Sequence, residues 1–372
     1  MISILVVDDT IVYRKLVSDI AESVPGVRVV GTAPNGKIAL SRIAMLKPDL
    51  VTLDVEMPEM NGIEVLEHMK AAGLGGNFLM VSALTTRGAD LSLRAIELGA
   101  MDAIAKPDGA AISRADFQAE LRARIENFAR RSEIRKILGG GQARPELASL
   151  PLGARPAAGM AAGTPGGAAG APPARRPTAR QACEIVAIGI STGGPAALLE
   201  LVPALPADIP VPILIVQHMP ALFTASLANS LTHRGKLPVK EAENGEVLRP
   251  GRIYLAPGGR HMRVDLGADA ITKVLRVTDD PPENNCRPSV DYLFRSVARQ
   301  YYGRALALVM TGMGNDGAKG AGDIRKAGGE ILVQDEESSV VWGMPGATVA
   351  LGFADDVLPL SRLAGEIMAR IR

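Results

Sequence analysis

Ile2-Ser3-Ile4-Leu5-Val6-Val7-Asp8-Asp9 opens with a run that is apolar but for Ser3 and stops at two carboxylates. Such a run suits a strand covered on both faces, and acids at its carboxyl end suit the crevice of an open parallel sheet. Outward from it the rhythm repeats. Arg28–Ala33, Leu50–Val55, Phe78–Ala83 and Asp102–Ala105 read as further strands. Amphipathic stretches such as Ile63-x-x-Leu66 and Phe117-x-x-x-Leu121-x-x-x-Ile125-x-x-Phe128 read as helices. Strands alternating with helices over residues 1–131 predict a five-stranded doubly wound parallel sheet of order 2-1-3-4-5. The last helix is expected to run on through Ile134 and Ile137 until Gly139-Gly140-Gly141 ends it.

From Gly139 to Arg180 the chain is Ala, Gly, Pro and Arg with one acid, Glu146. That composition buries too little to offset its ordering entropy, so residues 132–182 are expected to form a flexible linker. Beyond it the α/β rhythm returns. Glu184–Ile190, Val211–Gln217, Gly251–Ala256, Leu306–Met310 and Glu330–Val333 predict a second doubly wound, mostly parallel domain over 183–372.

Composition narrows the partners. The chain has 372 residues, 47% of them hydrophobic, which is enough for two real cores. Its 41 basic and 40 acidic side chains leave no global pull toward nucleic acid or membrane, and 3% aromatics disfavours base stacking. The first apolar run ends too soon, at two aspartates, for a signal peptide or membrane helix; a cytoplasmic protein is expected. Cys183 and Cys286 lack CxxC spacing, so neither a zinc site nor a disulfide is suggested.

Asp8, Asp9 and Asp54 fall at the carboxyl ends of neighbouring strands, where three acids repel unless a hard cation such as Mg²⁺ sits among them. Ser82 and Lys106 close the fourth and fifth strands, placed to take the oxygens of a phosphoryl group on Asp54. With Asp54-Val55-Glu56-Met57-Pro58-Glu59-Met60-Asn61-Gly62, this half resembles a flavodoxin-like response-regulator receiver domain. The resemblance implies phosphorylation at Asp54, Mg²⁺ held by Asp8, Asp9 and Asp54, and phosphoryl sensing by Ser82 and Lys106. The family often carries an aromatic three residues before that lysine; here the position is Ala103.

In the second half, Gly189-Ile190-Ser191-Thr192-Gly193-Gly194 follows an apolar strand and precedes a helix-compatible run. Glycines around a serine permit the tight turn that lifts a nucleophile clear of a sheet, with the Thr192 N–H aimed at a developing oxyanion. A dinucleotide loop would need glycine where Ser191 stands, and Asp208 sits amid prolines rather than at a strand end. His218 directly follows a strand and is the favoured base. His261 is a weaker candidate, and His233 belongs to a polar helical stretch. Asp316, in the glycine-dense Thr311–Gly317 turn, is either the carboxylate orienting the base or an N-cap for the next helix. The order Ser, His, Asp is not that of α/β-hydrolases, where the acid precedes the histidine.

Four motifs complete the pattern: Gln217-His218-Met219-Pro220 with Phe223-Thr224, Pro257-Gly258-Gly259 with His261, Cys286-Arg287-Pro288-Ser289-Val290-Asp291, and the Met310–Gly317 turn. Together with the serine turn they resemble the catalytic domain of the chemotaxis protein-glutamate methylesterases (CheB), which also deamidate glutamine. The resemblance implies Ser191 as nucleophile, His218 as base then acid, Asp316 as orienter, and Thr192 with Met313 as oxyanion donors. It further implies methyl-accepting chemoreceptor cytoplasmic domains as substrate, a chemotaxis histidine kinase as phosphodonor, no cofactor in the catalytic half, and an unphosphorylated receiver that blocks the active-site mouth. A non-catalytic regulator that binds a signalling array when phosphorylated is the alternative. A DNA-binding output is disfavoured because no basic recognition helix follows the receiver.

Overall fold

The structure is a computed structural model that describes residues 1–107, 113–139 and 182–371. The first sheet comprises β1 (Ile2–Val7), β2 (Val27–Ala33), β3 (Leu50–Asp54), β4 (Phe78–Ser82) and β5 (Asp102–Ala105), all parallel, in the expected order β2-β1-β3-β4-β5. Side chains alternate between the two faces. Ile2, Ile4 and Val6 therefore pack with Phe117, Leu121 and Ile125 on one side, and Leu5 and Val7 pack with Ile63, Val65 and Leu66 on the other. The interleaved helices are α1 (Ile11–Glu22), α2 (Gly36–Leu46), α3 (Gly62–Ala71), α4 (Thr86–Glu97) and α5 (Arg114–Gly139). Gly62 is required where α3 begins, since a Cβ there would lie 2.3 Å from the Asp54 carbonyl oxygen.

Helix α5 reaches the glycines expected to end it, so residues 132–139 of the expected linker are helical. The remainder of that segment, up to residue 181, lies outside the described residues.

The second sheet has seven parallel strands in the order β14-β13-β12-β6-β7-β9-β8. They are β6 (Ile185–Ile190), β7 (Ile213–Gln217), β8 (Val239–Glu241), β9 (Ile253–Leu255), β12 (Ala305–Val309), β13 (Glu330–Gln334) and β14 (Asp356–Leu358). An antiparallel ribbon, β10 (His261–Leu266) with β11 (Lys273–Thr278), packs on α8 (Val290–Tyr301). From β6 the chain winds first through β7 and β9, then returns to β12 on the other side and continues to β13 and β14. The carboxyl end of β6 is thus a topological switch point, where open α/β sheets gather their ligands.

The two domains are packed together. Leu93 and Ile96 of α4 belong to the same apolar cluster as Leu198 of α6 (Gly194–Ala204) and Leu227 and Leu231 of α7 (Ala221–Arg234). Around that contact Ser226 Oγ donates to Asp90 (2.5 Å), Ser230 Oγ donates to Glu97 (2.9 Å), and Arg234 pairs with Glu97 (3.0 Å).

Candidate active site

Ile190 and Gln217 are register partners at the ends of β6 and β7, so the next residues, Ser191 and His218, emerge side by side. Asp316 arrives from the turn after β12, on the other flank of β6. Three adjacent strands therefore deliver the three side chains singled out in the sequence.

The acid is the best-defined member. Asp316 is buried, and its Oδ1 accepts from Asn284 (2.8 Å), Ser289 Oγ (2.9 Å) and the Asp291 N–H (3.1 Å). Its Oδ2 accepts from the Val290 N–H (2.6 Å) and meets His218 Nε2 at 2.9 Å. Burial alone would raise its pKa, but His218 and the N–H groups of Val290 and Asp291 outweigh that and pull it to about 2. Asp316 does not cap the helix that follows it: α9 (Ala318–Ala327) is capped by Gly317 without a side-chain bond. It sits instead on the first turn of α8, whose N-terminal dipole favours the anion.

Because Asp316 remains a carboxylate, His218 donates through Nε2–H, an assignment made from the hydrogen-bond network. That leaves Nδ1 as the basic nitrogen, and Nδ1 lies 3.7 Å from Cys286 Sγ. Burial opposes charging of His218, but its bonds to Asp316 and Cys286 win and raise it to about 9. Ser191 is nearly buried, and its hydroxyl makes no hydrogen bond among the described residues.

The serine turn is held by groups to which the sequence reading, though it quoted them within motifs, assigned no role. Gln217 Nε2 donates to the Ser191 carbonyl (2.9 Å), the Ser191 N–H donates to the Thr311 carbonyl (2.9 Å), and Thr311 Oγ1 donates to the Thr192 carbonyl (2.9 Å). Gly312 allows the second turn to come this close, since a Cβ there would lie 2.8 Å from Ser191 Cβ. The N–H groups of Thr192 and Met313 donate to no acceptor among the described residues, which leaves them available to an oxyanion. His261 is fully buried: Nδ1 accepts from the Ser289 N–H (3.2 Å), Nε2 meets the Pro281 carbonyl (3.0 Å), and the ring stacks on Tyr292. It supports the Ser289–Val290 turn and does not reach Ser191. His233 is exposed at the end of α7.

The receiver reaches this site. Asp102 Oδ2 accepts from the Gly193 N–H (3.3 Å) and is clamped by Arg124 (3.1 Å). A cavity of about 160 Å³ between the domains is lined by Leu79, Asp102, Arg124, Thr192 and Val341. Phe223, five residues after His218, is buried against Ala89, Ala105 and Ala103, with Met219 beside it.

At the receiver's own crevice, Lys106 Nζ lies 2.8 Å from both Asp54 Oδ2 and Asp8 Oδ2, with Tyr13 over the ammonium. Burial raises the Asp54 pKa to about 6, and Lys106 only partly offsets it. Carboxylate oxygens of Asp8, Asp9 and Asp54 lie within 4.8 Å of one another, an all-oxygen donor set that fits Mg²⁺. Ser82 Oγ is turned toward the Gly88 carbonyl in the first turn of α4 (3.1 Å).

Comparison with known proteins agrees with both halves. The CheB methylesterase family model matches residues 186–367, and the response regulator receiver model matches residues 4–115. A protein-glutamate methylesterase/protein-glutamine glutaminase of Desulfotalea psychrophila is 46% identical over 99% of this chain and 98% of its own length. One of Trichodesmium erythraeum is 42% identical over 99% and 98%. The crystal structure of the Thermotoga maritima CheB methylesterase catalytic domain is 40% identical and covers 51% of this chain and 99% of that one, with a TM-score of 0.49. The chain belongs to the CheB family of protein-glutamate methylesterases/protein-glutamine glutaminases, with a receiver domain ahead of the catalytic domain.

Proposed function

We propose that this enzyme hydrolyses glutamate γ-methyl esters, and deamidates glutamine, on the cytoplasmic domains of methyl-accepting chemoreceptors, and that a chemotaxis kinase activates it by phosphorylating Asp54. The observation that carries the chemistry is the His218–Asp316 contact beside the Ser191 turn. Ser191 Oγ attacks the ester carbonyl while His218 Nδ1 takes its proton, and Asp316 stabilises the imidazolium that forms. The free N–H groups of Thr192 and Met313 receive the oxyanion. His218 then gives that proton to the leaving methoxide oxygen, releasing methanol, or to the leaving amide nitrogen of glutamine, releasing ammonia. A water deprotonated by His218 releases the glutamate carboxylate from the acyl-enzyme. Ser191→Ala is expected to abolish methanol release; a rate within a fewfold of the wild type would overturn the assignment.

The packing of the two domains supports the regulatory reading. The docked receiver covers the serine turn through Asp102 and holds Phe223 against α4 and β5. Asp8, Asp9 and Asp54 would hold Mg²⁺, which supplies the positive charge that lets a dianionic phosphoryl group approach three acids. A phosphoryl group on Asp54 adds about two negative charges. It would draw Lys106 and Ser82 toward it, and Ser82 leaves the Gly88 carbonyl one residue from Ala89, which touches Phe223. The path from phosphoacceptor to catalytic base is short, and its last members, Met219 and His218, are adjacent in sequence. Among the described residues no helix is long and apolar enough to cross a membrane, in keeping with a cytoplasmic partner of receptor signalling domains.

A further inference from the structure

We infer that Cys286 and His218 form a binding site for a thiophilic divalent cation, with Zn²⁺ as the type case, and that its occupation inhibits the enzyme. The inference rests on the proposed role of His218 as base.

Spacing gave no hint of a metal site, because the ligands come from different parts of the chain. The thiol is delivered by local geometry. Glu283 and Cys286 exchange both backbone hydrogen bonds across Asn284 and Asn285, which hold φ values of 54° and 59°. Two left-handed residues between a paired set are a type I′ turn, which asparagine tolerates well. Asn284 is tied further by its side chain to Asp291 and Asp316. The turn therefore aims Cys286 at the imidazole as a fixed element, and Cys286 is only partly buried.

The ligand set has the right dimensions. Cys286 Sγ lies 3.7 Å from His218 Nδ1. Zn–S of about 2.3 Å and Zn–N of about 2.0–2.1 Å at a tetrahedral angle require a separation of roughly 3.6 Å. A carboxylate oxygen of Asp316 lies within 4.8 Å of the other donor atoms, but it accepts from Nε2–H. That makes it the outer carboxylate of a carboxylate–histidine–metal arrangement, which fixes the tautomer and leaves the Nδ1 lone pair free. Sulfur and imidazole nitrogen favour Zn²⁺ over Mg²⁺, whereas the receiver's all-oxygen set has the opposite preference. On binding, the thiol releases its proton to solvent as the metal–sulfur bond forms, together with the Nδ1 proton if the ring starts as imidazolium. The nitrogen the reaction needs is then occupied.

The probe is Co²⁺ added to the full-length protein, read as the thiolate-to-cobalt charge-transfer band. The band is expected in the wild type, in Ser191→Ala and in Cys183→Ala, and to be lost in Cys286→Ala, with Cys286→Ser as the second variant if the first does not fold. In parallel, Zn²⁺ should inhibit methanol release reversibly with chelator, at concentrations where Mg²⁺ does not. Cys286→Ala should need about tenfold more Zn²⁺ or above. No cobalt band in the wild type, or equal Zn²⁺ sensitivity in Cys286→Ala, overturns the inference. Failure of the esterase reading would appear separately, as absent methanol release in a protein that still shows the band.

Discussion

Replacing Ala103 with Phe would place an aromatic ring where Phe223 and Met219 of the catalytic domain already meet the receiver. In the undocked receiver that face of β5 opens to solvent, so the ring costs little there. In the docked state it overfills a packed contact, which typically costs about 1–3 kcal/mol. The cost falls on one side of the docking equilibrium and shifts it by about 5- to 150-fold toward the open form. Methanol release without phosphodonor should rise by up to that factor, capped at the fully activated rate, and the stimulation left to phosphorylation should shrink equally. The assay is methanol release from methylated receptor by the Ala103→Phe protein, with phosphoryl uptake at Asp54 as the check that the receiver is folded. Adding Phe223→Ala, which moves the aromatic from one domain to the other, should restore both repression and stimulation. A folded Ala103→Phe protein whose unstimulated rate stays within twofold of the wild type would refute the reasoning.

Glu97→Gln removes the charge that binds Arg234 and is expected to raise unstimulated methanol release in the same direction, an effect that salt should mimic. Gly312→Ala would set a Cβ 2.4 Å from Met344 Sδ and 2.8 Å from Ser191 Cβ, displacing the nucleophile. We expect a rate loss of about 10²-fold with the melting curve still cooperative, and an unchanged rate would count against the packing argument. His218 works as a base only when neutral, and its pKa is raised from 6.5 to about 9. The unphosphorylated rate should therefore climb as pH rises toward about 9, and Cys286→Ala should move that rise to lower pH. By the same linkage, the stability contributed by the His218–Asp316 pair is full between about pH 4 and 6.5, is lost as pH rises through about 9 and is lost again as pH falls toward about 2, which thermal melts across both windows would detect.

Legibility in the sequence followed locality. The order of the first sheet could be read because Ile2–Val7, Leu50–Asp54, Phe78–Ser82 and Asp102–Ala105 are largely apolar runs that end in or run directly into an acid, hydroxyl or ammonium, whereas Val27–Ala33 carries no such group and was placed by the strand–helix rhythm alone. Ser191 and His218 were legible for the same reason. The short strands Val239–Glu241 and Asp356–Leu358 were not, because three residues of mixed polarity carry no period, whereas the equally short Ile253–Leu255 is wholly apolar and buried. The ribbon His261–Leu266 with Lys273–Thr278 was hidden by its buried histidine, which faces the interior as a neutral hydrogen-bonding spacer. For Asp316 spacing favoured neither role; its partners Val290 and Asp291 lie about 25 residues away and are brought in only by the fold. Cys286 read as an isolated thiol for a like reason, since His218 is 68 positions distant. Gln217 and Thr311, which hold the serine turn, look like ordinary ends of apolar strands until the turn is seen between them.

Methanol release from methylated receptor, measured with and without a small-molecule phosphodonor and Mg²⁺ in the wild type and in Asp54→Asn, tests the central claim most directly. The account predicts stimulation in the wild type and none in Asp54→Asn, with both retaining the unstimulated rate. Equal rates in the wild type with and without phosphodonor would contradict the switch, and no release under any condition would contradict the esterase itself.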